Sequence, residues 1–346
     1  MNIHETYMKL CLQLAVKGFG NTAPNPMVGC VIVSDEKIIG EGYHQQYGQA
    51  HAEVNAINSV KDKKLLQKST LYVNLEPCAH FGKTPPCADL IIEHKIPNVV
   101  IGCMDINSAV NGRGIEKLTK AGINVTEGVL EDECKKLNKR FFTFHEKKRP
   151  YIILKWAQTS DGFIDVKRSE ENPGKALQIS NSESHKLLHK WRSQEQAIMV
   201  GTNTALLDNP QLTVREWHGK NPLRITIDKW LRIPKHYNLF DKSTATIIFT
   251  AVDAASEPNL EFIKIDFEKD IISQILNELY KRTIQSLIVE GGEQLLSSFI
   301  EIDAWDEARV FISDRKIEIG IKAPVLKTNP ISKENISGDK LLTFLR

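Results

Sequence analysis

His51-Ala-Glu53, followed by Pro77-Cys78 and then Cys87, is the stretch on which the N-terminal half turns. One histidine and two thiolates make a set of three soft or borderline ligands, which suits Zn²⁺. Three protein ligands leave a fourth position open to water, and that openness separates a catalytic zinc site from a closed structural one. Zinc lowers the pKa of such a water to about 7. Glu53 stands two residues past the histidine, at the start of an expected helix over Ala52–Ser59. There a carboxylate can take the water's proton without ligating the metal, and hand it on. Cys87 follows Pro86, a residue tolerated in a helix's first turn, so its sulfur is expected at a helix N-terminus, where the dipole favours thiolate. The alternatives are a closed site with His80 as a fourth ligand, or buried cysteines with no metal. The other cysteines (Cys11, Cys30, Cys103 and Cys134) sit in apolar helix or strand contexts and read as small buried residues.

Around this set the first half alternates helix and strand. Tyr7, Leu10, Cys11 and Leu14 fall on one face of an opening helix. Val28–Val33 is an apolar run of strand length, and Lys37–Gly42 is its hairpin partner through Ser34-Asp35-Glu36. Leu71–Leu75 and Val99–Gly102 read as strands. Ile115–Ala121 reads as a helix stopped by Gly122. This order predicts a mixed sheet covered by helices on both faces.

The chain has 346 residues, long for one core and comfortable for two domains. All six cysteines lie before residue 135 and all five tryptophans after residue 150, which implies two folding units. A seam is expected near His145-Glu-Lys-Lys-Arg-Pro150, a charged run ending in proline. Beyond it, Tyr151–Trp156, Ala197–Val200, Leu223–Ile227, Thr246–Phe249, Ser286–Val289 and Ala308–Ile312 read as strands. Ser182–Arg192, Ile271–Lys281 and Gly292–Phe299 read as helices, so this half is also α/β. A net charge of +2 gives no field of one sign for nucleic acid or an anionic membrane. The basic runs at Lys135–Lys139 and Lys147–Arg149 read as a solvated helix face and a linker. No apolar run reaches membrane-spanning length, and the first residues lack the pattern of a signal peptide, so a cytoplasmic location is expected. Six cysteines in so long a chain are too sparse for a disulfide scaffold.

The order H-x-E, then P-C, then C is that of zinc deaminases acting on nucleobases, although their common form separates the cysteines by two residues and here eight intervene. Thr22-Ala-Pro-Asn-Pro-Met-Val-Gly29, His44, His51-Ala-Glu53, and Asn74-Leu-Glu-Pro-Cys-Ala-His-Phe-Gly-Lys-Thr-Pro-Pro-Cys87 together resemble the deaminase domain of the bifunctional deaminase-reductase family of riboflavin biosynthesis. That family's form of the motif contains the long insert, and the match continues through Asp105–Gly114. The second half resembles the family's reductase domain in Lys155-Trp-Ala-Gln-Thr-Ser-Asp-Gly162, Trp191-Arg192, the run Val200–Arg215, and Val289-Glu-Gly-Gly-Glu293.

The resemblance implies a three-layer cytidine-deaminase-like α/β/α domain over residues 1–146. It also implies a dihydrofolate-reductase-like α/β domain over 150–346. The substrate it implies is a diaminopyrimidinone carrying a phosphoribosylamino group, deaminated at zinc and then reduced by NADPH to a ribityl chain. His51, Cys78 and Cys87 take the zinc roles, Glu53 the proton shuttle, and Asn25, His44 and Lys83 meet the pyrimidine substrate. Gln158, Gln178, Thr204, Asp208, Gly292, Glu293, Gln294, Leu295, Leu296, Ser297 and Ser298 hold the cofactor. Arg192, Leu212, Arg215 and Glu290 meet the ribose phosphate, for which an arginine fork is suited. Family members often carry tryptophan where this chain has Gln178, which implies less stacking on the cofactor. A homo-oligomer without nucleic-acid or membrane partners is the family-like expectation. A deaminase whose second half has lost catalysis and only binds nucleotide, a nucleic-acid deaminase and a non-catalytic zinc-stabilised binding module are the competing readings. The first is opposed by the joint presence of Arg192, Asp208, Arg215 and Glu290, the second by the near-neutral charge, the third by the open coordination position.

Overall fold

The computed structural model describes residues 2–79, 85–107, 111–171 and 174–346. The chain divides into two compact units, Met1–Lys148 and Arg149–Arg346.

The first unit runs α1 (Ile3–Val16), β1 (Gly29–Ser34), β2 (Lys37–Tyr43), α2 (Ala52–Ser59), β3 (Thr70–Leu75), α3 (Cys87–Glu93), β4 (Asn98–Cys103), α4 (Arg113–Lys120), β5 (Asn124–Thr126), α5 (Glu131–Leu137) and α6 (Lys139–Lys147). Asn2 starts the first helix by accepting from the backbone N–H of His4 and Glu5, and Glu5 reaches back to the Asn2 N–H, a capping box. The sheet order is β2-β1-β3-β4-β5. The β1 strand is antiparallel to both neighbours, and β3, β4 and β5 are parallel. Every residue of β1 is buried, because side chains alternate between two covered faces. Cys30 and Ile32 pack with α2, α3 and α4; Val31 and Val33 pack with α1, α5 and α6. The result is a three-layer α/β/α unit. The four cysteines set aside in the sequence, Cys11, Cys30, Cys103 and Cys134, are all buried in these two layers.

The second unit runs β6 (Tyr151–Thr159), β7 (Phe163–Asp165), α7 (Ser182–Gln194), β8 (Ala197–Val200), α8 (Thr202–Asp208), β9 (Leu223–Ile227), β10 (Thr246–Thr250), β11 (Leu260–Lys264), α9 (Ile271–Lys281), β12 (Ser286–Val289), α10 (Glu293–Glu301), β13 (Glu307–Ser313), β14 (Ile321–Lys322), β15 (Ser332–Ile336) and β16 (Asp339–Leu345). Nine strands form one sheet in the order β11-β10-β9-β8-β12-β6-β13-β16-β15. The pairs from β11 through β13 are parallel, and β16 and β15 add antiparallel at the far edge. Alternation again splits the core. Ile152, Leu154 and Val289 face α9 and α10, while Ile153, Val200 and Ile288 face α7 and α8. In such a sheet ligands bind beyond the carboxyl ends of the parallel strands, and the turns after β8, β9 and β12 gather there.

Several elements escape the sequence pattern. The α6 helix extends through Lys147, so the charged run expected as a seam is partly a helix end, closed by Lys148 in the left-handed region at φ 54°. Ser332–Ile336 has no buried residue, so no alternation announced it as a strand. Thr202–Asp208 buries only Ala205 fully, too little for a helical period to emerge.

Candidate active sites

In the first unit, three elements bring the zinc motif together. His51 is the N-cap of α2, Cys78 lies in the turn after β3, and Cys87 is the first residue of α3. Their ligand atoms lie within 4.8 Å of one another. His51 Nδ1 is 3.6 Å from Cys78 Sγ and 3.3 Å from Cys87 Sγ. A tetrahedral zinc with bonds of about 2.0 Å to nitrogen and about 2.3 Å to sulfur spaces these atoms by about 3.6 Å. The donor set therefore fits zinc in both chemistry and spacing. The N-terminus of α3 adds a further hold, since the Cys87 N–H donates to Cys78 Sγ at 3.3 Å. With the Cys87 side chain hydrogen-bonded to it and His51 alongside, the Cys78 thiol is pulled down to about 4, while Cys87 is pushed up by that same pairing and by burial. Cys78 is the thiolate of the metal-free pair.

Glu53, in the first turn of α2, is 3% exposed. Burial pushes its carboxyl up to about 7, and the neighbouring Cys78 thiolate adds to the rise. His44 stands edge-on to His51, ring centres 5.4 Å apart. Its Nδ1 is 3.0 Å from the Ala50 carbonyl, which only accepts, so Nδ1 carries the proton. Nε2 is then an acceptor and takes the Asn25 amide N–H at 3.2 Å. Burial lowers the His44 pKa, which keeps the ring in this neutral form. Thus Asn25, His44, His51, Glu53, Cys78 and Cys87 form one cluster. Lys83 and His80 lie outside the described residues.

The frame around the cluster was missed in the sequence, although Asn74, Glu76 and Gly114 lie within the quoted motifs. Glu76 is buried, and its carboxylate accepts from the backbone N–H of Asp105, Gly112, Gly114 and Ile115 at 3.2, 3.0, 2.8 and 3.3 Å. It thereby ties the start of α4 against the Pro77-Cys78 turn. A side chain at Gly114 would place its Cβ 2.1 Å from the Pro77 carbonyl oxygen, so only glycine permits this approach. Asn74 accepts from the Gly29 N–H at 2.7 Å and donates to the Met27 carbonyl at 3.1 Å, which fixes the segment that carries Asn25. Asn138 brackets Met27 from the other side, accepting from its N–H at 2.7 Å and donating to its carbonyl at 2.9 Å.

In the second unit a cleft of about 940 Å³ opens at the carboxyl ends of β6, β8 and β12. Gln178, Thr204, Asp208, Glu290, and Gly292 through Leu296 line it. Ser297 and Ser298 line an adjoining groove of about 480 Å³ that also touches Gly201, Thr202 and Ile227. Gly291 has φ +116°, a backbone state that other residues resist, and so lets the chain turn sharply from β12 into α10. The N-terminus of α10, with Gly292 as its cap, then faces the cleft, and its unpaired N–H groups suit a cofactor phosphate.

Four expected residues stand apart from the cleft lining. The Gln158 side chain accepts from the Trp156 indole at 2.8 Å. Leu212 is buried with φ +54°. Arg215 is exposed, its guanidinium 3.1 Å from the Thr213 hydroxyl. Arg192 is buried and pairs twice with Glu290, at 3.1 and 2.7 Å, and once with the Thr213 carbonyl at 3.2 Å. Three of its five N–H donors are thus taken by protein. Burial would raise the Glu290 carboxyl, but Arg192 overrides it and holds the group below the ordinary carboxylate value. Lys155 lines the cleft in the field of both; burial lowers its ammonium pKa and Glu290 opposes that. Asp208 pairs with Arg168 at 2.6 Å, and Arg168 also bonds Asp165. Lys155, Asp165 and Arg168 went unassigned in the sequence because a lysine or an Asp-Arg pair on a strand or loop resembles ordinary surface charge.

Residues 1–103 match the cytidine and deoxycytidylate deaminase zinc-binding region, and residues 150–314 match the RibD C-terminal domain. The chain is 39% identical to riboflavin biosynthesis protein RibD of Aquifex aeolicus, with 99% of each chain covered. It is 34% identical to that of Escherichia coli, covering 90% of this chain and 88% of the relative. A crystal structure of a diaminohydroxyphosphoribosylaminopyrimidine deaminase/5-amino-6-(5-phosphoribosylamino)uracil reductase from Thermotoga maritima superposes with TM-score 0.88 at 39% identity, covering 98% and 97% of the two chains. Acinetobacter baumannii RibD gives TM-score 0.88 at 29% identity, with 99% and 98% covered. With both halves matched in order and relatives aligned over most or nearly all of their lengths, the chain belongs to the RibD family of bifunctional riboflavin biosynthesis enzymes, a zinc-binding deaminase domain followed by a reductase domain.

Proposed function

We propose that the first unit hydrolytically deaminates 2,5-diamino-6-(5-phosphoribosylamino)pyrimidin-4-one and that the second reduces the ribosyl group of the product to ribityl. The observation that carries the reading is the convergence of His51 Nδ1, Cys78 Sγ and Cys87 Sγ beside the buried carboxyl of Glu53. Zinc, when bound by those three residues, supplies a Lewis acid that makes water acidic near neutrality. Glu53 takes one proton from the water and delivers it to the ring nitrogen as the water oxygen bonds the ring carbon; it then takes the remaining hydroxyl proton and gives it to the exocyclic amine, whose C–N bond breaks to release ammonia as the carbon becomes a carbonyl. A carboxyl poised at about 7 in the metal-free chain suits a group that both takes and gives a proton. The Asn25–His44 pair has a fixed donor and acceptor order, which suits reading a ring edge.

In the second unit, NADPH supplies hydride when bound by the cleft and the α10 N-terminus. The ribosyl C1′–O4′ bond must break first, with a proton delivered to O4′. Lys155 supports that role as an ammonium that lines the cleft and whose acidity is raised by burial. Glu290, kept anionic by Arg192, stabilises the cationic C1′ that receives the hydride. Arg215, exposed, is the arginine available to the substrate phosphate. The enzyme is read as homo-oligomeric from its resemblance, and among the described residues no helix is long and apolar enough to cross a membrane.

The test is to give zinc-loaded protein the diaminopyrimidine substrate and NADPH, following ammonia and nicotinamide absorbance. Ammonia release followed by NADPH consumption is expected. Ammonia without NADPH loss would remove the reductase assignment, and neither signal with zinc bound would remove the substrate.

A further inference from the structure

Each turnover of the reduction consumes a proton as well as a hydride. When the C1′–O4′ bond breaks, its electron pair stays on O4′, which takes a proton from the Lys155 ammonium. The lone pair of the attached nitrogen closes a C1′=N double bond, which the hydride then reduces. The cofactor is left oxidised and Lys155 is left as a neutral amine. It must regain a proton before it can act again, and the cleft offers few groups that exchange one. Arginines keep their protons. The lining carboxylates Asp165, Asp208 and Glu290 are paired with Arg168 or Arg192, which favours the anion.

His185 is the exception. Along β6 the side chains of Tyr151, Ile153, Lys155 and Ala157 alternate onto the face covered by α7. Tyr151 and Ile153 pack there with Leu188 and Trp191 of α7, and the Lys155 ammonium lies 5.8 Å from the centre of the Phe311 ring in the same cluster. His185 precedes Leu188 by one helical turn, on the same face of α7 and nearer its N-terminus. The lysine on the strand and the histidine on the helix thus stand on facing surfaces, and both line the cleft. The imidazole is half-buried, and among the described residues its ring has no hydrogen-bond partner. His189, one turn on, is occupied: its Nδ1 accepts from the Arg215 N–H at 3.0 Å and its Nε2 is 3.9 Å from Glu216. Burial lowers the His185 pKa and the Lys155 charge lowers it further. Arg192 of α7 acts in the same sense, while Glu216 before β9 and Asp339 of β16 oppose it.

We propose that His185 is the proton relay of the reductase cleft, taking a proton from solvent and returning it to Lys155, so that Lys155 begins each turnover as an ammonium. The inference rests on Lys155 being the donor to O4′. The facing charges put the steps in order. While Lys155 is an ammonium it repels a proton from His185. Once Lys155 has given its proton that repulsion is gone, and the imidazole, which titrates near neutrality, takes one up. The more basic amine then draws it across. His185 acts through Lys155 and not on the substrate.

Stopped-flow absorbance at the nicotinamide band tests this by separating the first turnover from later ones, on full-length zinc-loaded protein given NADPH and the deaminated intermediate. His185→Gln should consume its first equivalent of NADPH at the wild-type rate, because Lys155 starts protonated. Its steady rate should then fall by about 10²-fold, the low end for loss of a proton-transfer group. Since the slowed step follows reduction, kcat should fall while kcat/KM for the intermediate hardly moves. Added imidazole should restore the steady rate, and ammonia release by the deaminase unit should stay as in wild type. Lys155→Met should slow the first turnover itself. The relay is overturned, with the Lys155 reading intact, if His185→Gln slows the first turnover as much as the steady rate, if imidazole restores nothing, or if the variant matches wild type throughout. If Lys155→Met completes its first turnover at the wild-type rate, the Lys155 reading falls and takes the relay with it.

Discussion

Two glutamates, one in each unit, have little-exposed side chains, and their surroundings shift them in opposite directions. Glu53 has no cationic partner strong enough to offset burial beside a thiolate, and its carboxyl rises to about 7. Glu290 is locked by two bonds to Arg192 with Lys155 nearby, and is held below the ordinary value. The same side chain is thus suited to carry a proton in one unit and is held toward the anion in the other. The neighbours decide which, in keeping with the separate effects of desolvation and charge pairing. The chemistry of each unit matches. Hydrolytic deamination needs a group that takes a proton and returns it. Hydride delivery to a cationic carbon needs a charge that stays.

The largest effect expected from this contrast is on Glu53→Gln. An amide keeps the shape and loses the proton, so ammonia release should fall by about 10²–10⁴-fold. NADPH consumption should persist when the deaminated intermediate is supplied directly, and zinc content should be unchanged. A comparable fall in both activities would mean that the variant disturbs the fold and not the proton shuttle.

Arg192→Met tests the other side. It strands a buried carboxylate, which costs about 3–5 kcal/mol, read by chemical denaturation of the second unit. Adding Glu290→Gln to the same chain should recover much of that stability, since the uncompensated charge is gone, yet leave reduction low. If the double variant regains reductase activity, Glu290 acts only in packing and not through its charge.

A pH series on metal-free protein separates the two directions. A carboxyl raised by burial costs nothing below its unfolded value of 4.5 and destabilises progressively as pH rises to about 7. Wild type should therefore lose about 3 kcal/mol relative to Glu53→Gln across that window, from about 1.4 kcal/mol per pKa unit. Glu290 has the opposite sign: its stabilisation is complete above its unfolded value of 4.5 and is lost as pH falls through its lower folded value. Equal pH dependence of wild type and Glu53→Gln would show that Glu53 titrates normally.

How far the sequence foretold these sites also differs between the units. The convergence of His51, Cys78 and Cys87 beside Glu53 was legible because metal chemistry restricts residue type and spacing, and helix starts at Ala52 and Cys87 present them predictably. Glu76 was not, because four backbone N–H groups from residues 105 to 115 converge on it only after folding. The Arg192–Glu290 pair spans 98 residues, so no local pattern relates its members. Both residues were expected at the substrate, and the structure pairs them with each other. In the fold, strands with one or two buried faces were readable. The exposed edge strand β15 and the short helix α8 were not, for want of buried side chains.

The smallest expected effect concerns Gln178, at the position where the family resemblance implies tryptophan. Its side chain is exposed and lines the cleft, while its backbone carbonyl is fixed by Arg315 at 2.7 Å. A larger side chain there meets open cleft and leaves the backbone bond intact. Gln178→Trp should tighten NADPH binding by about 0.5–1.5 kcal/mol, the usual worth of an aromatic contact, measured as a lower Kd by calorimetry, with ammonia release unchanged. Because Gln178 touches neither Arg192 nor Glu290 through any bond described above, the gain should persist in Arg192→Met. If the gain disappears in that background, the Glu290 charge and the cofactor contact are coupled, and the two halves of the cleft respond as one.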